Sequence, residues 1–231
     1  MTHKELSEKA VEAMEAYKKS LAVAKVKTRQ PFMMAMVGLV GSGKSTVASR
    51  IAEATGAVIV RGDSIRVELR RVGEEYKYTD VIAQTVIRDL LRDGCSVVVD
   101  SDCVIEAKRI ALAKIAQEFG RRFLVVRVHC NPEIAIGRML TASYADSVED
   151  IFGGSKKVWT QGTPEQQGAA IKIKEMWRRT PFHYEWFPDD GGVWRLRNFD
   201  FKIDAVFEAS ASGSGGFSGQ LETFVNHLIE I

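Results

Sequence analysis

Long apolar runs, a leader-like start and metal-type cysteine spacing are all missing from this sequence. No stretch approaches the roughly 20 apolar residues that a bilayer-spanning helix needs, so no membrane partner is expected. Residues 2–20 carry too many charges for a secretory signal. Cys95, Cys103 and Cys130 are odd in number and scattered, which points to reduced thiols in a cytoplasmic protein rather than to disulfides or a metal site. A net charge of +2 leaves no strong field for a polyanion or a charged membrane surface. No internal repeat is visible. An Asn-Lys-x-Asp guanine-reading run is absent, and so is the Ser-Gly-Gly-Gln run of ABC-type ATPases.

What remains is an ordinary globular composition, 45% apolar and 27% charged, on a chain of 231 residues. That length suits one α/β domain with appendages and a sizeable core. One stretch organises it: Gly38-Leu39-Val40-Gly41-Ser42-Gly43-Lys44-Ser45 fits G-x-x-x-x-G-K-[ST], the loop that cradles nucleotide phosphates. Phe32 to Val37 before it reads as a buried strand, and Thr46 to Ala54 after it as a helix with Val47, Ile51 and Ala54 on one face. Strand, glycine-rich turn and helix start would aim backbone N–H groups and a helix dipole at one spot. Gly38, Gly41, Ser42, Gly43, Lys44, Ser45 and Thr46 are therefore the expected ATP phosphate site. Lys44 would reach the β- and γ-phosphates and the Ser45 hydroxyl would sit on Mg²⁺.

The remaining chain alternates short apolar strands with helices. An amphipathic helix over residues 4–27, with Leu6, Ala10, Met14, Tyr17 and Leu21 at helical spacing, precedes the core, as a helix packed on its flank or a partner-binding one. Strands are expected at 57–60, 95–99 and 123–128, and helices at 65–72, 78–92, 105–119 and 131–139. This order implies a doubly wound parallel sheet. The organisation expected is a helix over 1–30 and a single α/β domain over 31–231, elaborated at about 141–200. Residues 141–163 are polar, with Gly153-Gly154, and read as a mobile lid. A helix over 164–179, strands at 193–196 and at Phe199-Phe201-Ile203, and a final helix at 218–229 complete the reading.

The acidic residues at strand ends are the candidates for chemistry. Strand C-termini in a parallel sheet open onto one crevice, so Asp63, after the second strand, is placed as a general base or as a helix cap. Arg66 shares its face and is placed to hold an acceptor phosphate. Asp100, closing Val97-Val98-Val99, is expected to act on Mg²⁺, often through water. Asp102 reads as a helix cap, with a share in the metal site as the alternative. Arg138, where the lid begins, is placed to stabilise the transferring phosphoryl group or to pair with a surface carboxylate. Arg178 and Arg179 are second lid cations, or are neutralised by Glu175 and Glu185. The aromatic run Trp177, Phe182, Tyr184, Trp186, Phe187 and Trp194 reads as a satellite core, with a base-stacking platform as the alternative. His129 is expected to be structural.

Taken together, Gly38 to Thr46, Arg61 to Arg66, Val97 to Asp100 and Ile134 to Met139 resemble the AAA-type P-loop kinases, a group similar to polynucleotide 5′-hydroxyl kinases, zeta toxins and adenylylsulfate kinases. Glu75 to Thr79 looks like the phage-type polynucleotide kinases. The resemblance covers about residues 32–140. It implies that Lys44 and Ser45 hold phosphates and Mg²⁺, Asp63 is the base, Arg66 meets an acceptor phosphate, and Arg138 is the lid arginine. Where such kinases commonly carry Asp-Ala/Thr-Thr-Asn, this chain has Asp100-Ser101-Asp102-Cys103. The activity expected is ATP-dependent transfer to a hydroxyl, on a polynucleotide 5′ end or on a small sugar-like or nucleoside acceptor. A nucleotide-dependent switch and a binding-only module remain as alternatives.

Overall fold

The computed structural model describes residues 6–23, 30–142, 164–209 and 215–230. The first core strand, β1 (Phe32–Val37), has all six residues buried, as a strand covered on both faces must. It lies at the centre of a five-stranded parallel sheet of order β2-β3-β1-β4-β7. The other members are β2 (Val58–Arg61), β3 (Val97–Asp100), β4 (Arg122–His129) and β7 (Ala205–Glu208).

Helices cover both faces of this sheet. Alternation along β1 sends Met33, Ala35 and Val37 to one side and Phe32, Met34 and Met36 to the other. The first side is packed by α1 (Glu8–Ser20), α3 (Gly62–Arg71), α4 (Thr79–Arg92) and α5 (Glu106–Glu118). The second is packed by α2 (Lys44–Thr55) and α8 (Gly215–Glu230), through Val47, Ile51, Leu221, Val225 and Leu228. The expected doubly wound parallel sheet is therefore the observed architecture.

Helix α1 is part of the core. Ser7 caps it by accepting from the Ala10 N–H, and it buries Ala10, Ala13, Met14 and Tyr17 against α3 and α4. Burying a side chain the size of Met14 contributes about 1.5–3 kcal/mol, enough to hold α1 on the flank. The Tyr17 hydroxyl also accepts the backbone N–H of Arg61 at 2.9 Å, tying α1 to the end of the edge strand β2. Residues 1–5 and 24–27 of the expected helix lie outside the described residues.

A third cluster sits over the C-terminal ends of the strands. Here α6 (Pro132–Thr141) and α7 (Pro164–His183) bury Ala135, Met139 and Met176 with Leu39, Cys130 and Tyr184. Most of the expected lid, residues 143–163, lies outside the described residues. The hairpin β5 (Tyr184–Phe187) and β6 (Val193–Leu196) follows α7, with Trp186 opposite Trp194.

One expected strand is displaced. The alternation of Phe199, Phe201 and Ile203 suggests a strand, but pairing with β4 covers Ala205 to Glu208. The phenylalanines serve another purpose. Their rings stack 4.7 Å apart, Phe199 under the Arg127 guanidinium and Phe201 under that of Arg109. Asp204 then brackets Val125, accepting its N–H and donating to its carbonyl, and sets the register that β7 continues.

Candidate active site

The turn between β1 and α2 is built by glycines for steric reasons. A Cβ on Gly38 would stand 2.2 Å from the Val128 carbonyl oxygen, a contact that no L side chain tolerates. Gly43 has φ +96 and forms the N-cap of α2, where no side chain bonds the helix's first N–H groups. Those donors are left facing the turn. Ser42 is fully buried, and its Oγ has no hydrogen-bond partner. An orphan hydroxyl beside an uncapped helix start is a costly arrangement for a plain turn, and it fits a group rich in acceptor oxygens. Ser45 and Thr46 stand exposed on the first turn of α2.

Lys44 lies across this turn, its Nζ donating to the Leu39 carbonyl at 2.9 Å. It is half-buried, and desolvation holds its ammonium below the ordinary lysine range. The carboxylates of Asp102, Asp100 and Asp63 oppose that shift, in that order of strength. The three strand-end acids are thus within electrostatic reach of one lysine head. Arg138 arrives from α6 and donates to the Ala209 carbonyl at 2.9 Å and to the Gly41 carbonyl at 3.4 Å. Its guanidinium thus lies against the glycine-rich turn.

Asp63 and Arg66 stand on the first turns of α3 and pair at 2.6 Å. Asp63 lies inside the helix, so it is not the residue that caps it. Asp100 is almost buried and pairs with Arg61 Nε at 3.1 Å, and the same guanidinium donates to Ser49. No cluster of three or more metal-type side chains occurs among the described residues.

Asp102 departs most from expectation. The N-cap of α5 is Ile105, so Asp102 does not cap that helix. Its side chain turns back to the phosphate loop, where Oδ1 accepts the Gly38 N–H at 3.4 Å. Oδ2 accepts from Arg179 Nη1 at 2.8 Å and lies 3.1 Å from His183 Nε2. Burial works to raise its pKa, yet the hydrogen bond and charge of His183, with Lys44 and Arg179, hold the carboxyl far below the usual range. The missed signal was the partnership of Asp102 with Arg179 and His183, 77 and 81 residues on.

The other distal expectations divide. Arg178 is exposed and pairs with Glu175, whereas Arg179 bridges Glu175 and Asp102. Glu185 pairs with Arg197 instead of either. Tyr184 is core, its hydroxyl donating to the Cys130 carbonyl at 2.6 Å. Trp177, Trp194 and Trp186 touch in series at 5.8 and 5.0 Å, with Trp177 and Trp186 exposed. The satellite core is therefore only partly built of these aromatics. His129 ends β4, with burial lowering its pKa.

Residues 33–146 match the family model of an AAA domain. This segment runs from β1 past α6, and it contains the glycine-rich turn, Asp63, Asp100, Asp102 and Arg138. The fold is that of a P-loop NTPase. The crystal structure of APE1195 aligns over 89% of this chain and 99% of its own, at 18% identity and a TM-score of 0.55. A candidate kinase from Chloroflexus aurantiacus J-10-fl aligns over 87% and 98%, at 11% identity and a TM-score of 0.52. A gluconokinase from Sinorhizobium meliloti 1021 aligns over 87% and 95%, at 16% identity and a TM-score of 0.47. No curated protein matches the sequence. Among the described residues no helix is long and apolar enough to cross a membrane.

Proposed function

We propose that this chain is a kinase that transfers the γ-phosphoryl of ATP to a hydroxyl of a small acceptor. The observation carrying the reading is the uncapped start of α2 with the orphan Ser42 hydroxyl, faced by Lys44 and Arg138 and by carboxylates from two neighbouring strand ends. Donors for a polyphosphate and a base for an acceptor are thus gathered in one crevice.

The roles follow from position. N–H groups of the turn and the first turn of α2 bind the phosphates, and Lys44 exchanges the Leu39 carbonyl for β- and γ-phosphate oxygens. Ser45 and Asp100 would hold Mg²⁺, whose charge would offset that of the phosphates. Asp63 accepts the proton of the acceptor hydroxyl as that oxygen bonds to the γ-phosphorus. The bond from the γ-phosphorus to the bridging oxygen breaks, and ADP leaves with the electron pair. Arg138 stabilises the charge on the transferring group.

The polynucleotide acceptor is the weaker reading. Along α3 and the following turn, Arg71 pairs with Glu68 at 2.6 Å and Lys77 with Glu75 at 2.9 Å. Counterion release needs a surplus of cations, and the net charge of the chain is only +2.

The test is transfer of labelled γ-phosphoryl to a panel of small hydroxy acids, nucleosides, sugars and a 5′-hydroxyl oligonucleotide. Asp63→Asn should cut transfer roughly 10²–10⁴-fold with ATP affinity unchanged. ATP hydrolysis that no acceptor accelerates would replace the kinase reading with a nucleotide switch.

A further inference from the structure

The strand-end crevice holds two side chains that no motif singles out, Ser101 and Lys108. Ser101 follows the last residue of β3, beside Gly62, because Arg61 and Asp100 are register partners. Lys108 reaches over from the first turn of α5 and donates to Ser101 Oγ at 2.8 Å. On the other side stands Arg66. The point where a Cβ on Gly62 would stand lies 3.6 Å from Ser101 Oγ and 3.8 Å from Arg66 Nη1. One hydroxyl and two cationic heads thus converge on a glycine that offers no side chain, within a few residues of Asp63.

Both cations already have acidic partners, but those partners are loosely held. Lys108 lies 3.4 Å from Asp80, whose side chain is 67% exposed, and Arg66 pairs with Asp63, which is 57% exposed. The cations themselves are more enclosed, at 26% and 34%. Exposed pairs of this kind contribute about 0–1 kcal/mol, so an incoming anion displaces the acids at little cost. Releasing Asp63 from Arg66 would also free its carboxylate for the acceptor hydroxyl.

From this arrangement we infer that Ser101 and Lys108, with Arg66, form an acceptor subsite for a small hydroxy compound carrying one carboxylate or phosphate. The inference rests on the kinase reading above and adds the residues that select the acceptor.

The test uses the full chain saturated with a non-hydrolysable ATP analogue and Mg²⁺, titrated with inorganic phosphate as the probe anion. One further binding event is expected. Lys108→Gln should weaken it roughly tenfold or more, the loss of one charge-assisted contact, and Lys108→Arg should largely retain it. Gly62→Ala is the second variant. Its methyl would meet neighbours only at ordinary contact distances of 3.6–3.9 Å, on the first residue of a helix, so melting temperature should hold while phosphate binding falls. Analogue binding with no phosphate event, or with an event indifferent to both Lys108→Gln and Gly62→Ala, overturns the inference alone. Failure of the analogue to bind overturns the kinase reading and the inference together.

Discussion

Asp102 holds together three parts of the chain, and Asp102→Asn shows how much that matters. The substitution keeps the shape and removes the charge. Arg179 retains Glu175 at 2.9 Å, but His183, with a side chain only 2% exposed, loses its charged partner. Charge-assisted hydrogen bonds contribute about 1.5–3 kcal/mol each, and the surviving Glu175 contact reduces the total, so a loss of roughly 2–4 kcal/mol is expected at pH 7. For a chain of this size that is a fall of roughly 5–15 °C in melting temperature. The pH dependence is the sharper test. The folded pKa of Asp102 is depressed, so its stabilisation is complete above the unfolded aspartate value of about 3.9 and is lost as pH falls through the folded value. The gap between wild type and variant should not shrink from pH 7 to 5. Below about pH 4 it should shrink by about 1.4 kcal/mol per pH unit. Urea midpoints of both proteins, without nucleotide or Mg²⁺, measure it. A gap of the same size at pH 3 and pH 7, or no gap at all, would refute the account of Asp102.

Two further substitutions probe the frame around the site. Tyr17→Phe removes the acceptor of the Arg61 N–H and should cost about 1–3 kcal/mol, read as a lower melting temperature, with α1 loosened in hydrogen exchange. Burial pushes the Tyr17 hydroxyl up to about 12, so wild type should show no tyrosinate signal from this residue at pH 10. Gly38→Ala places a methyl 2.2 Å from the Val128 carbonyl, a backbone atom that cannot swing aside; it should destabilise by about 3 kcal/mol or more, and a variant as stable as wild type would contradict the packing of β1 on β4.

The central fold was legible because its signals are local. Phe32 to Val37 is apolar without interruption, and glycines and a lysine follow at fixed spacing, so strand, turn and helix could be read from a few residues. The later part was harder for a physical reason. Phe199 and Phe201 alternate as strand residues do, yet their partners are arginines on β4 and α5 rather than a neighbouring strand. In the sequence Asp102 reads as a cap, because a carboxylate before a helix usually is one. Its actual partners, Arg179 and His183, are brought back by α7, and no local pattern announces that return. Likewise Lys108 joins the crevice only because α5 begins beside Ser101, a consequence of packing that spacing along the chain does not reveal.

On the proposed function, the turn from Gly38 to Ser45 binds the phosphates of a nucleotide, with Lys44 as its charge. Calorimetric titration of wild type and Lys44→Ala with ATP and Mg²⁺ tests it most directly. Lys44 serves no apolar core, and its Nζ donates to the Leu39 carbonyl, a bond whose loss the turn tolerates, so the variant should fold as wild type does. The account predicts binding by wild type and a loss of roughly tenfold or more in Lys44→Ala, the value of one charged hydrogen bond to phosphate. Equal affinity in the two proteins, or no binding by wild type, would contradict it.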